Sequence, residues 1–329
     1  MRPSMLACLT SALLSLPFYA AELPPLKLDA NITLSGLSSG AYMAGQYHLA
    51  FAEHVDGVAM IAAGPVYCAQ NSLGLALEHC FNKATSAPDM AAINAYIKQQ
   101  QAEGHLAPLS TLVDDKVWIF HGSKDATVYP ALATTLYQQY QQWLKPDNIA
   151  LLNDKAFGHT FPTDRTDLGR CDQSESPFLA SCSYDAAGTL LQFMLGDVQA
   201  KSSHTTGQLY AINQHQLATA AAATLAETGY VYIPKSCESG QQCRLHVSFH
   251  GCKQNADNVG EAFVSGTGLN NYADSNNLVI LYPQTSASNI NPFNPNACWD
   301  WWGYTGANYA TRNGPQIQAV HQLVQALIQ

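Results

Sequence analysis

Apolar positions along the chain fall into short runs separated by turns rich in Gly, Pro and polar residues. Eight runs of strand length lie near residues 32–36, 57–63, 117–121, 148–152, 208–213, 229–234, 244–249 and 278–282. The run over 117–120 is continuously apolar, as in a strand buried on both faces, whereas that over 244–249 alternates. Two stretches are helical instead. Residues 41–52 follow the first run directly, and residues 317–328 repeat their apolar positions at three and four, which predicts a helix with one buried face. Strands alternating with helices predict an α/β fold with a mostly parallel central sheet. With no Thr-rich or Pro-rich linker, internal repeat or appended module, the mature chain reads as one domain. The alanine-rich residues 218–226 read as a short helix or connector within it.

Three polar insertions at the ends of these runs carry chemistry. Gly36-Leu37-Ser38-Ser39-Gly40 lies between the first strand and the first helix, the context in which a Gly-x-Ser-x-Gly turn lifts a serine hydroxyl above a sheet. Residues 117–120 run into His121-Gly122-Ser123-Lys124-Asp125, and residues 149–152 are followed by Gly158-His159-Thr160-Phe161-Pro162. The order Ser38, Asp125, His159 is that of an α/β-hydrolase triad. A serine hydroxyl is a weak nucleophile until a base removes its proton; His159 is in place to do so, with Asp125 to fix its tautomer.

An oxyanion-hole loop normally precedes such a turn in this fold, and none does here. His250-Gly251-Cys252, after the run over 244–249, supplies the signature instead, and the chain closes with the kind of helix that usually leads into the nucleophile strand. The strands therefore stand in rotated order, and joining residue 329 to the mature N-terminus would restore the usual one. The expected architecture is a circularly permuted α/β-hydrolase fold; such permutation is tolerated because chain termini tend to lie close together on the surface.

The segments around Ser38, Asp125 and His159, together with residues 228–235, His250-Gly251-Cys252 and Cys298-Trp299-Asp300-Trp301, span nearly the whole mature chain. As a set they resemble the extracellular poly(3-hydroxybutyrate) depolymerases with an N-terminal lipase box, including the single-domain fungal type. The resemblance implies a Ser38–His159–Asp125 triad with the backbone N–H groups of Ser39 and Cys252 as oxyanion donors. It also implies a polyester or hydroxybutyrate-oligomer substrate and no cofactor. Feruloyl and acetylxylan esterases share the broader architecture and similar His-Gly-Cys loops, so esters of plant polysaccharides are the alternative substrate class. A catalytically silent polymer-binding protein on the same scaffold is the alternative outside the enzymes.

Residues 1–21 contain Arg2, a 12-residue apolar stretch from Met5 to Leu16, and Ala20 and Ala21, which read as a secretory signal peptide leaving a catalytic domain over 22–329. The stretch is short of the roughly 20 residues that span a bilayer, so stable membrane insertion is not expected. Its removal takes Cys8 with it and leaves eight cysteines, an even number suited to a secreted or periplasmic protein. Proximity in sequence pairs Cys68 with Cys80, Cys171 with Cys182 and Cys237 with Cys243, leaving Cys252 with Cys298. That last bond would tie the oxyanion loop to Trp299-Asp300-Trp301-Trp302-Gly303-Tyr304. Four aromatic residues in six are too many for one face of a buried strand, and we expect Trp299, Trp302 and Tyr304 to contact substrate.

Losing Arg2 leaves 14 Lys and Arg against 24 Asp and Glu, a net charge of −10 with no basic cluster, which disfavours nucleic acid as a partner. The scattered histidines and the lack of His-Glu-x-x-His or Cys-x-x-Cys spacing argue against a catalytic metal. A monomer is expected. Asn31-Ile32-Thr33 matches a glycosylation acceptor but falls in the nucleophile strand, where a structural role is expected.

Overall fold

The computed structural model describes residues 23–81, 86–218 and 224–329. The expected signal peptide lies outside the described residues, as does most of the alanine-rich connector. Eleven strands are formed among those residues: β1 (Lys27–Leu37), β2 (Val55–Ile61), β3 (Lys116–Phe120), β4 (Ile149–Leu152), β5 (Phe161–Thr163), β6 (Gly169–Arg170), β7 (Leu179–Ser181), β8 (Gln208–Asn213), β9 (Thr228–Ile233), β10 (Gln242–Phe249) and β11 (Leu278–Tyr282). Eight of them make one sheet in the order β4-β3-β2-β1-β10-β11-β9-β8, and they are the eight predicted from sequence. β9 runs against both of its neighbours; the other pairings are parallel. Counted cyclically from β8, the spatial order is 1-2-4-3-5-6-7-8. The small sheet β5-β7-β6 was not anticipated, since strands of two or three residues carry no readable period.

Side chains of a strand alternate between faces, so each central strand feeds two cores. Val58 and Met60, Val117 and Ile119, and Val279 and Leu281 join one core with the helices Ser39–Ala50, Met90–Ala102, Ala131–Tyr140 and Pro315–Ile328. Ala59 and Ile61, Trp118 and Phe120, and Leu278, Ile280 and Tyr282 join the other with the helix Ala186–Leu195 and residues 262–276. The helix Ser39–Ala50 is buried along its entire length, which explains why its sequence lacks a polar face. Pro315–Ile328 buries Ile317, Val320, Leu323, Val324 and Leu327, the stripe that the three-four spacing predicted.

A polar cluster sits at the middle of the sheet. His246 on β10 meets the hydroxyls of Thr33 and Ser35 on β1, each at 2.8 Å, and burial lowers its pKa to about 3, so the ring is neutral and fully partnered. Thr33 is buried, whereas Asn31 is exposed and its Nδ2 donates to Asp56 Oδ1 at 2.7 Å.

Candidate active site

The turn that carries Ser38 is shaped by backbone crowding. Ser38 joins β1 to the helix Ser39–Ala50 with φ 57° and ψ −123°, a conformation that costs a non-glycine residue of order 1–3 kcal/mol. Its N–H donates to Ile61 O at 2.8 Å, pinning the turn to β2. A Cβ on Gly36 would lie 2.2 Å from Gly40 O, and one on Gly40 would lie 2.4 Å from the carbonyl oxygens of both Phe249 and His250. The two glycines of the motif are thus required by strand-to-helix contact, and the second also by contact with the end of β10.

The loops after β3 and β4 bind each other. Ser123 N donates to Lys155 O at 2.7 Å and Lys124 N to Phe157 O at 3.0 Å, while a Cβ on Gly122 would stand 2.1 Å from Phe157 O. This pairing delivers Asp125 to His159, with Nδ1 of the imidazole 2.7 Å from Oδ2. Asp125 Oδ1 accepts from Thr127 N at 2.8 Å and Val128 N at 2.9 Å. His121 Nε2 lies 3.2 Å from Oδ2 and 2.9 Å from Val128 O. Burial raises the pKa of Asp125, but the hydrogen bonds from His121 and His159 outweigh it and hold the carboxyl well below the usual range. Behind His159, Ser174 Oγ accepts from its backbone N–H at 2.8 Å, in the loop closed by Cys171–Cys182.

His250-Gly251-Cys252 reaches Ser38 from the other side of the sheet centre. A Cβ on Gly251 would lie 3.4 Å from Ser38 Cβ. Gly251 N donates to Gln254 Oε1 at 2.7 Å, and Gln254 Nε2 donates to Pro177 O at 2.8 Å, so the loop is braced from below. Among the described residues, neither Ser39 N nor Cys252 N has a hydrogen-bond acceptor. The three cysteine pairs expected from proximity are disulfides, Cys68–Cys80, Cys171–Cys182 and Cys237–Cys243, and the remaining pair, Cys252–Cys298, ties this loop to the aromatic segment.

Ser38 and His159 share a cleft of about 460 Å³, with Trp301, Trp302, Phe81, Leu73, Leu77 and Phe293 on its walls. The expectation for the aromatic segment needs correction. Trp302 lines the cleft, but Trp299 is fully buried, its ring edge-on to Phe249 at 5.1 Å and 5.6 Å from His250. The hydroxyl of Tyr304 is turned inward, donating to Cys298 O at 2.8 Å and accepting from Gln316 Nε2 at 2.8 Å. Trp301, not singled out from sequence, is the second ring on the cleft wall and stacks on Tyr42 at 5.3 Å. The segment is neither strand nor helix; the buried carboxylate of Asp300 organises it by accepting from the backbone N–H groups of Gly303, Tyr304 and Thr305. Also unforeseen were His121 as a second support for Asp125, although its i, i+4 spacing was visible, and Gln254 beneath the loop. Among the described residues no group of three His, Cys, Asp or Glu is placed to hold a metal ion.

Residues 229–329 match the family Esterase PHB depolymerase. The chain is 36% identical over 312 residues to a poly(3-hydroxybutyrate) depolymerase of Delftia acidovorans, covering 93% of this chain and 61% of that protein. It is 33% identical over 323 residues to the polyhydroxybutyrate depolymerase of Talaromyces funiculosus, covering 94% of this chain and 93% of the relative. The chain belongs to the PHB depolymerase family. Its fold matches the crystal structure of PHB depolymerase from Penicillium funiculosum with a TM-score of 0.87 at 32% identity, over 94% of this chain and 99% of that one. A Ser-to-Ala PHB depolymerase complexed with an R3HB trimer matches with the same TM-score at 31% identity and the same coverage. The chain thus spans less than two thirds of the Delftia relative and nearly all of the fungal ones.

Two outcomes follow from this geometry. Gly40→Ala should destabilise the fold by more than about 3 kcal/mol, because the contact is with backbone, whereas Gly104→Ala, at φ 77° with nothing within 4 Å, should cost only about 1–2 kcal/mol; thermal unfolding of both variants checks this. Asp125→Asn should lower kcat by about 10⁴-fold with little change in structure. Since the folded-state pKa of Asp125 is depressed, its contribution to stability is present above the unfolded value near about 4 and is lost as pH falls through the folded value. The Tm gap between wild type and Asp125→Asn should accordingly narrow on acidification below roughly pH 4.

Proposed function

We propose that the chain is a secreted serine esterase that hydrolyses poly(3-hydroxybutyrate) and its oligomers through an acyl-enzyme, acting as a monomer. The observation that carries the reading is the His159–Asp125 pair sharing one apolar cleft with Ser38, in a family whose members are named for this polymer. Ser38 Oγ attacks the ester carbonyl while His159 Nε2 takes its proton, and Asp125 stabilises the imidazolium. The N–H groups of Ser39 and Cys252 receive the developing oxyanion. His159 then protonates the departing hydroxyl end of the chain, and water, activated by the same imidazole, releases the hydroxybutyryl group. We read the topology as a circularly permuted α/β hydrolase; the rotated strand order and the helix Pro315–Ile328 packed in the β1 core support this.

A hydroxybutyrate unit offers little area, so affinity for polymer requires several units along an apolar surface. Leu73, Leu77 and Phe293 on the cleft rim are 47%, 53% and 58% exposed, and Ile290 nearby in sequence is 89% exposed, which supports adsorption by the catalytic domain itself. The relative solved with an R3HB trimer supports the same substrate class over feruloyl or acetylxylan esters. Filled triad positions weigh against a silent binding protein. Among the described residues no helix is long and apolar enough to cross a membrane.

Purified protein should clear a poly(3-hydroxybutyrate) suspension and cleave hydroxybutyrate trimers with a higher kcat/KM than methyl ferulate or acetylated xylan. Ser38→Ala should lower both activities by several orders of magnitude without unfolding the protein. Leu77→Ser with Phe293→Ser should weaken film hydrolysis while leaving a short nitrophenyl ester nearly unaffected. Better turnover of ferulate or acetyl esters would contradict the substrate assignment; full activity of Ser38→Ala would contradict the mechanism.

A further inference from the structure

His250 directly follows β10 and its side chain is fully buried. Nδ1 lies 2.7 Å from Gly251 O, and Nε2 lies 3.2 Å from Thr285 N. A carbonyl oxygen only accepts and a backbone N–H only donates, so this pair of contacts assigns the tautomer: Nδ1 carries the proton and Nε2 offers its lone pair. Burial lowers the pKa of the ring to about 4, with the Gly251 hydrogen bond opposing in part, so the neutral form that the contacts require is the form present near neutral pH. Thr285 Oγ1 in turn donates to Ala297 O at 2.6 Å, next to Cys298 and its disulfide to Cys252.

We infer that His250 is the positioning residue of the oxyanion hole, holding the Gly251–Cys252 peptide so that Cys252 N–H faces the carbonyl oxygen of the ester attacked by Ser38. The inference rests on the reading of Cys252 N–H as an oxyanion donor. The Gly251–Cys252 bond is trans, so its C=O and N–H point in opposite directions. Drawing Gly251 O inward to the buried imidazole turns Cys252 N–H outward to the cleft, on a loop whose Gly251 sits against Ser38. Gln254 Oε1 holds the preceding peptide by its N–H at 2.7 Å, so the loop cannot relax by rotating that peptide instead. Because Nδ1 binds the flanking carbonyl while Nε2 reaches across to Thr285, the ring also couples the loop to the strand end beyond β11. A flipped peptide would present Gly251 O, a repulsive acceptor, where the oxyanion forms.

Two variants separate the functions of the ring nitrogens. The amide nitrogen of Asn can replace Nδ1 as donor to Gly251 O, whereas Gln places its amide near Nε2 and leaves that carbonyl unbound. With nitrophenyl butyrate, His250→Asn should keep kcat within about tenfold of wild type, while His250→Gln should lose about a hundredfold in kcat with KM nearly unchanged. The Ki of a butyryl trifluoromethyl ketone, which forms a tetrahedral adduct, should rise in His250→Gln by the same factor as kcat falls. Equal losses in the two folded variants, or a fall in kcat with an unchanged ketone Ki, would overturn the inference. ¹⁵N-histidine NMR of the wild type gives a test that needs no folded variant: His250 protonated at Nδ1 supports the assignment, and protonation at Nε2 overturns it. Ser38→Ala measured in parallel isolates the underlying reading, since its full activity would remove the oxyanion hole from Ser38 whatever tautomer His250 adopts.

Discussion

The structure depends on how closely the backbone of Gly40 meets the carbonyl groups of Phe249 and His250. No side chain fits there, so the first turn of the helix after Ser38 is seated directly on the end of β10, about two hundred residues away in sequence. Parallel pairing of β1 with β10, in which Gly36 stands opposite Phe249, brings the two segments level. From that contact follow the strained backbone of Ser38, the placement of Gly251 against it and the shared cleft. The Cys252–Cys298 bond and the hydrogen bond from Trp299 N to Ser39 Oγ close the same junction from the aromatic side. These links constrain the loop proposed to carry the oxyanion donors, and preorganisation of this kind is what makes an oxyanion site effective.

The groups proposed to be catalytic follow the carboxyl ends of β1, β3, β4 and β10, where an open α/β sheet characteristically places its ligands. The electrostatics follow from position. Asp125 is buried yet remains ionised because two backbone N–H groups and two imidazoles converge on its oxygens. His159 has one face to this carboxylate and the other to the cleft, so it is oriented before substrate arrives. His246 and His250 show the opposite solution to burial, remaining neutral with both ring nitrogens engaged. The same residue type thus meets a carboxylate at the cleft, bridges two strands and binds a loop carbonyl, according to its neighbours rather than to its identity.

Much of this was legible in the sequence because the central strands are buried on both faces and read as apolar runs bounded by turns. The convergence of Ser38, Asp125 and His159 was legible because each follows such a run, and the cysteine pairs because three of the four close short loops. Periodicity had nothing to offer for residues 299–304, which follow the backbone demands of Asp300 rather than a helical or strand repeat. Trp299 was therefore assigned to the cleft although it packs beneath the oxyanion loop, and Trp301 was passed over although it forms the wall. His121 contacts Asp125 at i, i+4, a spacing visible in the sequence, but the bond from Gln254 to Pro177 and the exposed rim at Leu73, Leu77 and Phe293 join distant segments, for which local sequence carries no signal.

The most direct test of the central claim is rapid acid quenching during turnover of a hydroxybutyrate ester, followed by peptide mass spectrometry. A hydroxybutyryl adduct is expected on the peptide containing Ser38, located at that hydroxyl and formed in a burst that Asp125→Asn slows. An adduct on another residue, or full turnover with no covalent intermediate at Ser38, would contradict the claim.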